Sequence, residues 1–280
     1  LSEGYRKIRN TARYILSNIN DFDPNKDMVK YADMLEIDRW AMMKLNQLVE
    51  KSINAYEAYE FHSLYNATLN FCIVDMSNFY LDILKSRLYT EKPDSFERRS
   101  AQSAMYMILN AMVKLLAPVL AYTCEEIWKF MPHLADEDKE SVMFSTMPEV
   151  NAEYNDAALE EKWNKIIDVR TDVNKALELA RNEKIIGKSL DADVVVYAKG
   201  ELLDLLKSME SELAEIFITS KAQVEESEKA QDAVDGDVVS VKVTADPHEK
   251  CGRCWVHSET VGTIEGFDGI CADCVKKLTK

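Results

Sequence analysis

Apolar residues recur every three or four positions from residue 1 to about residue 132, and this spacing indicates amphipathic helices. In the first helix, Ile8, Ile15 and Ile19 fall on one stripe, ahead of a turn-rich segment at 20–24. The same periodicity predicts further helices at 35–56, 58–74, 76–89, 96–117 and 119–131. Proline lacks the amide donor that a helix interior needs, and prolines stand where these helices should stop or restart, at Pro93, Pro118 and Pro132. We therefore predict that residues 1–150 form an antiparallel helical bundle.

Two helix starts carry residues with the spacing of a capping box. Asp94 with Glu97, and Thr123 with Glu126, are each three positions apart. In a capping box the two side chains satisfy backbone amides that the first helical turn leaves exposed. We therefore expect Asp94 and Thr123 to cap their helices.

The pattern changes after a polar stretch at 136–155. A long amphipathic helix is predicted over about 156–182, and alternation of apolar and polar residues then predicts a strand at 190–196. A helical run at 201–216 and strands at 218–225 and 238–244 complete a small α+β subdomain over 151–247. The acidic stretch 225–237 is expected to be a solvated loop between strands.

Charge limits the ways in which the chain can bind nucleic acid. Its 280 residues include 34 basic and 49 acidic side chains, a net charge of −15, which excludes binding by bulk electrostatic attraction and gives no indication of a DNA partner. The first fifteen residues are an exception, because four cations accompany Glu3 alone: Arg6, Lys7, Arg9 and Arg13. Any contact with nucleic acid should therefore be local.

The hydropathy of the chain predicts no membrane span. About 18 uninterrupted apolar residues are needed for a spanning helix, and the best window, 111–122, is interrupted by Lys114. The first residue is leucine, and the basic residues that follow it are not backed by the apolar core of a signal peptide. We expect a piece of a longer cytoplasmic protein.

Four cysteines carry the strongest chemical motif in the sequence. Sixteen residues separate two Cys-x-x-Cys pairs, Cys251 with Cys254 and Cys271 with Cys274. Four thiolates at this spacing are typical of one structural zinc ion, and they leave no open position for water or substrate. We therefore predict a zinc module over 248–280. The alternatives are two disulfides, a redox dithiol, or replacement of one thiolate by His248 or His257. Cys72 and Cys124 are predicted to be buried apolar residues rather than ligands.

Trp255 directly follows the first cysteine pair, and two roles are open for it. The ring either packs against the metal loop or offers a flat face on which an unstacked base can lie. Arg253 and Lys250 are placed to contact phosphates beside it, although the module as a whole has five basic and five acidic residues. This balance favours recognition by shape and stacking.

No catalytic constellation is present in the sequence. It contains no glycine-rich phosphate loop, no Gly-x-Ser-x-Gly and no His-Glu-x-x-His. We therefore expect a binding module rather than a catalyst.

The combination of helices and cysteine module resembles the C-terminal part of bacterial isoleucyl-tRNA synthetases, a family of class I aminoacyl-tRNA synthetases. The resemblance covers nearly the whole chain and is carried by YRKIRNT at 5–11, NDFDP at 20–24, DRW at 38–40, NFC at 70–72, FYLD at 79–82, RRSAQ at 98–102, LAP at 116–118, EEIW at 125–128, VNKALE at 173–178 and CxxCW at 251–255. The sequence departs from the family pattern at Ala121, where a second proline is usual, and at Cys124, where a small residue is usual.

The resemblance implies that the helical domain binds the anticodon stem and loop of isoleucine tRNA and that the zinc module helps to read the anticodon. The residues that it implicates are Arg6, Lys7, Arg9, Arg13, Arg98, Arg99, Arg253 and Trp255. Family sites for ATP, isoleucine and editing lie upstream, so this region would position tRNA for ATP-dependent isoleucylation by catalytic and editing domains of the same chain. A monomer is implied.

Two other interpretations remain open. The acidic net charge is compatible with a helical scaffold whose zinc ribbon holds a protein partner. Within the synthetases, the valine and leucine enzymes are the alternatives, but the valine enzyme typically ends in a coiled coil, and no sustained heptad is present here.

Overall fold

The computed structural model describes residues 2–227 and 232–279. It divides the chain into two compact units, Leu1–Ala157 and Ala158–Lys280. The structure is mostly helical, with one small mixed sheet of four strands. Among the described helices, none has the length and apolar character needed to cross a membrane.

Helices account for most of the first unit. They are α1 (Ser2–Asn18), α2 (Glu36–Glu57), α3 (Phe61–Asn70), α4 (Leu81–Thr90), α5 (Phe96–Leu116) and α6 (Ala121–Phe130), with a π-helical segment at Phe71–Tyr80 and short 3₁₀ turns at Tyr31–Asp33, Val142–Phe144 and Ala152–Tyr154. The core of this unit is aromatic at its largest positions, where Trp40, Trp128 and Tyr80 are fully buried. Cys72 and Cys124 are buried as predicted.

The predicted break near residue 75 is wrong. Instead of two helices separated there, the chain runs from α3 through the π-helical segment into α4 without leaving helical geometry. A π turn contains more residues than the 3.6 of an α turn, so a search at the α-helical period cannot detect it. The backbone of this segment lies against α1, where the Thr11 hydroxyl is 3.3 Å from the hydroxyl of Ser77.

Both predicted capping boxes are also wrong. Ser95 caps α5, and its hydroxyl accepts a hydrogen bond from the backbone amide of Arg98 at 3.2 Å. Thr123 lies inside the first turn of α6, where its hydroxyl is 3.0 Å from that of Tyr5. Serine is as good a cap as aspartate, and the spacing alone did not distinguish Ser95 from its neighbour.

A buried carboxylate connects α2 to three other helical elements of the first unit, the π-helical segment, α4 and α5. Asp38 of α2 is fully buried and accepts hydrogen bonds from the Tyr80 hydroxyl (2.8 Å), the Ser100 hydroxyl (2.6 Å) and the Arg87 guanidinium (3.0 Å). Burial and the neighbouring Asp38 carboxylate raise the pKa of Tyr80 well above its ordinary value. The tyrosine therefore stays a neutral donor, and the network fixes the packing of α2 against α4 and α5.

The second unit begins with the helix α7 (Ala157–Asn182) and continues into the sheet. Its other elements are β1 (Ala192–Ala198), α8 (Gly200–Ser208), α9 (Glu210–Phe217), β2 (Lys221–Glu226), β3 (Val234–Asp235), β4 (Ser240–Ala245) and α10 (Ala272–Thr279), with a 3₁₀ turn at Ser189–Asp191. The predicted helical run at 201–216 is two helices. β1 buries alternate residues, as its sequence pattern predicts.

The sheet has the order β2-β1-β4-β3. β1 pairs in parallel with β2 and antiparallel with β4, and β4 pairs antiparallel with β3. The parallel pair requires a crossover, which α8 and α9 provide. Part of the acidic stretch that was expected to be a loop is therefore a strand, β3, while residues 228–231 of that stretch lie outside the described residues.

Asp172 fixes the turn that leads into β4. It is a buried residue of α7, and its carboxylate accepts hydrogen bonds from the backbone amides of Asp237, Val238 and Val239 at 2.8–3.1 Å. Gly236 packs so closely that a Cβ atom there would lie 2.1 Å from the carboxyl carbon of Asp172. This contact explains why the turn has a glycine at that position.

Candidate functional site

The four predicted ligands lie together in the second unit. The sulfur atoms of Cys251, Cys254, Cys271 and Cys274 are all within 4.8 Å of one another. The Cys251–Cys274 and Cys254–Cys271 sulfur pairs are 3.7 and 3.8 Å apart. A disulfide has sulfurs about 2.05 Å apart, so these are free thiols at a separation that suits ligands of one ion.

Backbone hydrogen bonds shape the first cysteine pair. The Trp255 amide donates to the Cys251 carbonyl at 3.0 Å, and the Cys251 amide donates to the Val256 carbonyl at 2.9 Å. The Gly252 amide donates to the Gly269 carbonyl at 2.9 Å, which holds the first pair against the loop before the second pair. Cys271 immediately precedes α10, which carries Cys274 one turn later.

The thiols of the cluster have different acidities. Burial opposes ionisation of Cys251, but backbone N–H groups at Cys254, Cys271 and Arg253 lower its pKa to about 6. Burial and the neighbouring thiols raise the pKa of Cys254 to about 12 and also raise that of Cys274. A thiolate is therefore favoured at Cys251, whereas ionisation of all four thiols requires a cation among them. This donor set fits a zinc ion, whose preferred structural site is four thiolates.

The two histidines near the cluster are occupied elsewhere. His248 Nδ1 lies 2.8 Å from the Asp246 carboxylate, and His257 Nδ1 donates to the His248 carbonyl at 2.7 Å. Within the described residues, the group able to hold a metal consists of cysteines alone. Neither histidine therefore takes the place of a thiolate. The remaining two cysteines, Cys72 and Cys124, lie far from the cluster in the sequence. Both are buried, and burial raises the pKa of each thiol to about 12.

Trp255 is exposed beside the cysteine cluster. Its side chain is 56% exposed, whereas the other three tryptophans are buried. Its backbone has a φ of +68°, the left-handed region that favours glycine. The ammonium groups of Lys250 and Lys188 lie over the ring, 5.6 and 5.8 Å from its centroid. The indole therefore does not fill the metal loop but presents an aromatic face with positive charge around it.

Sequence reasoning identified Trp255 and Lys250 but missed Lys188. Lys188 precedes the 3₁₀ turn at Ser189–Asp191. In the sequence, all four strands of the sheet lie between Lys188 and Trp255. No local motif marks it, because its place is determined by the return of the chain through β4. Arg253, the other predicted contact in this module, is half-buried.

The basic side chains of α1 lie on the surface of the first unit, outside its core. Arg6, Lys7, Arg9 and Arg13 are all exposed. At 100° per residue, the three arginines occupy one side of α1, and they span about 10 Å of helix length, whereas Lys7 lies about a third of a turn away from the row. The α1 arginine row, Arg6, Arg9 and Arg13, is therefore a continuous cationic surface.

Arg98 and Arg99 are engaged within the first unit. The Arg98 guanidinium lies 3.0 Å from the Asp21 carboxylate and also donates to the Leu88 carbonyl. Arg99 lies 3.3 Å from the Asp27 carboxylate and donates to the Gln102 side chain at 2.8 Å. Both side chains are at most 17% exposed. Their geometry supports a role in holding the segment after α1, and their predicted contact with RNA has no support from these distances.

Comparison with known proteins supports the resemblance to isoleucyl-tRNA synthetases that the sequence motifs indicate. Residues 38–196 match the family model described as the anticodon-binding domain of tRNA ligase. Isoleucine–tRNA ligases from Caldanaerobacter subterraneus subsp. tengcongensis and Syntrophotalea carbinolica are 48% and 49% identical over 99% and 100% of this chain. The isoleucine–tRNA ligase of Geobacter sulfurreducens is 48% identical over 98% of it.

The chain spans about 30% of the length of these curated relatives, and it matches their C-terminal region. The family model covers more than half of the chain, including α2 from Asp38 onward and all of α3 to α7. On this evidence, the chain belongs to the family of anticodon-binding domains of tRNA ligases.

Proposed function

We propose that this chain binds the anticodon stem and loop of isoleucine tRNA as the C-terminal region of an isoleucine–tRNA ligase. The observation that carries the proposal is the match over almost the entire chain to isoleucine–tRNA ligases, and this match favours the isoleucine enzyme over those for valine and leucine. ATP-dependent transfer of isoleucine belongs to catalytic and editing domains of the same polypeptide. The role of this region is to set the anticodon at a fixed distance from the tRNA end that is charged.

The α1 arginine row supplies the contact with the RNA backbone. Guanidinium groups bind phosphates in a bidentate geometry, and three of them in a row can follow consecutive phosphates of one strand. With a net charge of −15, the chain binds RNA only where such a local cationic surface is present. Lys7 extends this surface to one side. The helices of the first unit are proposed to form an antiparallel bundle that holds α1 against the stem.

The zinc module supplies recognition of unpaired bases. One structural zinc ion held by Cys251, Cys254, Cys271 and Cys274 would fix the loop that carries Trp255 and Arg253. Bases of a single-stranded loop can be splayed out, stacked on an aromatic ring and bonded at their edges. We therefore propose three parts for the chain: a helical domain at 1–150, a bridging helix with an α+β subdomain at 151–247, and the zinc module at 248–280. A cytoplasmic monomer with an RNA rather than a DNA partner fits this role.

The proposal is tested by binding of the zinc-loaded chain to isoleucine tRNA and to the same tRNA with its anticodon replaced, at one salt concentration. Tighter binding to the native anticodon is expected. The Trp255→Ala variant should weaken binding and reduce this preference while retaining zinc, since Trp255 does not ligate the ion.

The competing interpretation is a helical scaffold whose zinc ribbon holds a protein partner. It predicts no binding to either tRNA at physiological salt. That result would overturn the proposed function, and equal binding to both tRNAs would overturn the part that assigns anticodon recognition to this chain.

A further inference from the structure

Two lysines that are 62 positions apart in sequence meet at one exposed indole. Lys188 and Lys250 both place their ammonium groups within 6 Å of the Trp255 ring centroid. Both lysines are exposed, and Trp255 is more than half exposed. Cation–π attraction at exposed sites is weak, about 0.5–1 kcal/mol, so the ammonium groups remain able to move onto a stronger ligand.

Asp191 connects the two sides of this arrangement. One of its carboxylate oxygens accepts a hydrogen bond from the Lys188 backbone amide at 2.7 Å, and the other lies 3.3 Å from Nε2 of His257. His257 follows Trp255 by two positions, and its own amide donates to the Ser220 hydroxyl at 2.7 Å. The Asp191 carboxylate therefore holds the Lys188 backbone by a hydrogen bond and lies beside the His257 ring of the knuckle that carries the indole.

The backbone at Trp255 costs free energy that glycine would avoid. A non-glycine residue in the left-handed region is disfavoured by about 1 kcal/mol or more, and the knuckle places residue 255 there, at a φ of +68°. More than half of the indole surface stays exposed in this conformation, so a ligand can reach the ring.

The chemistry of the arrangement selects the class of ligand. An aromatic face binds another flat π system, and the two ammonium groups now over the ring, once a base displaces them, favour anions beside that base and oppose cationic ligands. A nucleotide offers both parts, because a base has a flat face and each of its flanking phosphates is an anion. Lys188 and Lys250 approach the same ring from different parts of the chain, which suits contact with two phosphates rather than one.

We propose that Lys188, Trp255 and Lys250 form one nucleotide site, which we call the indole site. A base of a single-stranded RNA loop stacks on Trp255 while the two ammonium groups bind the phosphates on either side of that base. Asp191 acts as a positioning residue that brings Lys188 to the ring. This inference rests on the proposed tRNA-binding function and adds to it the residues that hold the backbone of the stacked base.

The test is a titration of the zinc-loaded chain with isoleucine tRNA at several salt concentrations. Binding is monitored through the fluorescence emission of the exposed Trp255. Lys188→Ala is expected to weaken binding about three- to tenfold and to lower the slope of log K against log salt by about 0.7, the value for one single-strand phosphate contact. Stacking should still quench Trp255 emission at saturation, and Lys188→Arg should restore most of the affinity.

Lys175→Ala provides the matched control, because Lys175 is an exposed lysine on α7 in the same unit. The control should bind as the unchanged chain does. If Lys188→Ala binds as tightly as Lys175→Ala while Trp255→Ala still loses affinity, the indole site is wrong and the proposed function stands. If the unchanged chain binds no tRNA, both fail.

The role of Asp191 is tested by a double-mutant cycle. Asp191→Asn should weaken binding as much as Lys188→Ala does and keep its zinc content. The double variant should be no weaker than either single variant, because residues that act through one contact are not additive. Additive losses would contradict the positioning role and leave Lys188 as an independent contact.

Discussion

At the scale of single residues, the cysteine cluster is expected to couple protonation to metal binding. Backbone N–H groups lower the pKa of Cys251 to about 6, whereas burial and the neighbouring thiols raise the pKa of Cys254. Binding of a divalent cation by Cys254 and Cys274, whose pKa values are raised, should therefore release protons from these thiols. The free energy of that binding is also free energy of folding for a module of this size, about 10–16 kcal/mol for structural zinc.

Replacement of one ligand should therefore remove both the metal and the local fold. Cys254→Ser is expected to lose zinc, as measured by metal content after gel filtration, and to lower the unfolding temperature of the module. Cys124→Ser is the control, since this buried cysteine lies in α6 of the other unit and should leave one zinc per chain. Full zinc content in Cys254→Ser would refute its assignment as a ligand.

A pair of carboxylates in the second unit makes stability depend on pH. Burial and the adjacent Asp246 carboxylate raise the pKa of Asp193 from 3.8 to about 6. The protonated form is favoured in the folded state, so its contribution to stability is complete below about pH 4 and is lost as the pH rises through about 6. Asp193→Asn mimics the neutral form. At pH 7 it should raise the free energy of unfolding by about 1 kcal/mol, reduced by partial exposure.

Chemical denaturation of both proteins at pH 3.5 and pH 7 measures this effect. The advantage of the asparagine variant should disappear at pH 3.5, where Asp193 is already protonated in the folded state. An equal advantage at both values would show that the carboxylate pair is not its source.

Some single residues could be predicted from sequence and others could not. The cysteine cluster was predicted because four thiolates at this spacing have few other uses, and the burial of Cys72 and Cys124 because they lie at apolar helical positions. Lys188 and Asp191 were missed, since their importance arises from the sheet that returns residue 255 to their side. The left-handed backbone at Trp255 was missed because tryptophan is an unexpected residue in that conformation.

At the scale of elements, the Asp38 network determines how α2 packs. The Asp38→Ala variant removes the buried carboxylate that lies 3.0 Å from the Arg87 guanidinium, which is only 10% exposed. Removing one partner of a buried pair costs about 3–5 kcal/mol. The expected result is a loss of that size in the free energy of unfolding of the first unit. Lys85→Ala, which breaks the exposed Lys85–Asp82 pair on α4, should cost less than about 1 kcal/mol. Similar losses for both variants would contradict the structural role given to Asp38.

The turn into β4 offers a second test at this scale. Gly236→Ala introduces a Cβ atom where the Asp172 carboxylate now lies. The carboxylate must therefore move away from the backbone amides that donate hydrogen bonds to it. We expect a loss of about 1–3 kcal/mol, the cost of leaving buried hydrogen-bonding groups unsatisfied. Faster hydrogen exchange at the amides of residues 237–239 would locate the effect. Unchanged exchange there would mean that Asp172 does not hold the turn.

Elements were predicted well where periodicity was long and poorly where it was short. The bounds of α2, α5 and α7 agree with the sequence pattern within one residue. The two residues of β3 are too few to show alternation, and the π-helical segment follows a period that was not sought. Thus the helical class was predictable, whereas the local departures from it depended on tertiary contacts such as that between Asp172 and its turn.

At the scale of the whole molecule, charge distribution matters more than net charge. The α1 arginine row lies on a chain of net charge −15, so non-specific attraction to RNA is small. Arg9→Ala is expected to weaken tRNA binding and to reduce the slope of log K against log salt by about 0.9, one duplex phosphate contact. Titration of Lys85→Ala gives the control for loss of one positive charge. An unchanged slope for Arg9→Ala would remove Arg9 from the RNA surface.

The order of the sheet also bears on how the molecule avoids aggregation. Its two outer strands are β2 and the two-residue β3, and open strand edges are templates for pairing with other chains. β2 carries Lys221, Glu225 and Glu226 among its exposed residues, and charges along an edge oppose the approach of a second, like-charged edge. β3 is too short to offer more than a few free amides. The charged border of the sheet therefore opposes edge-to-edge pairing, and a change from charge to a β-branched apolar residue at position 225 would weaken that protection.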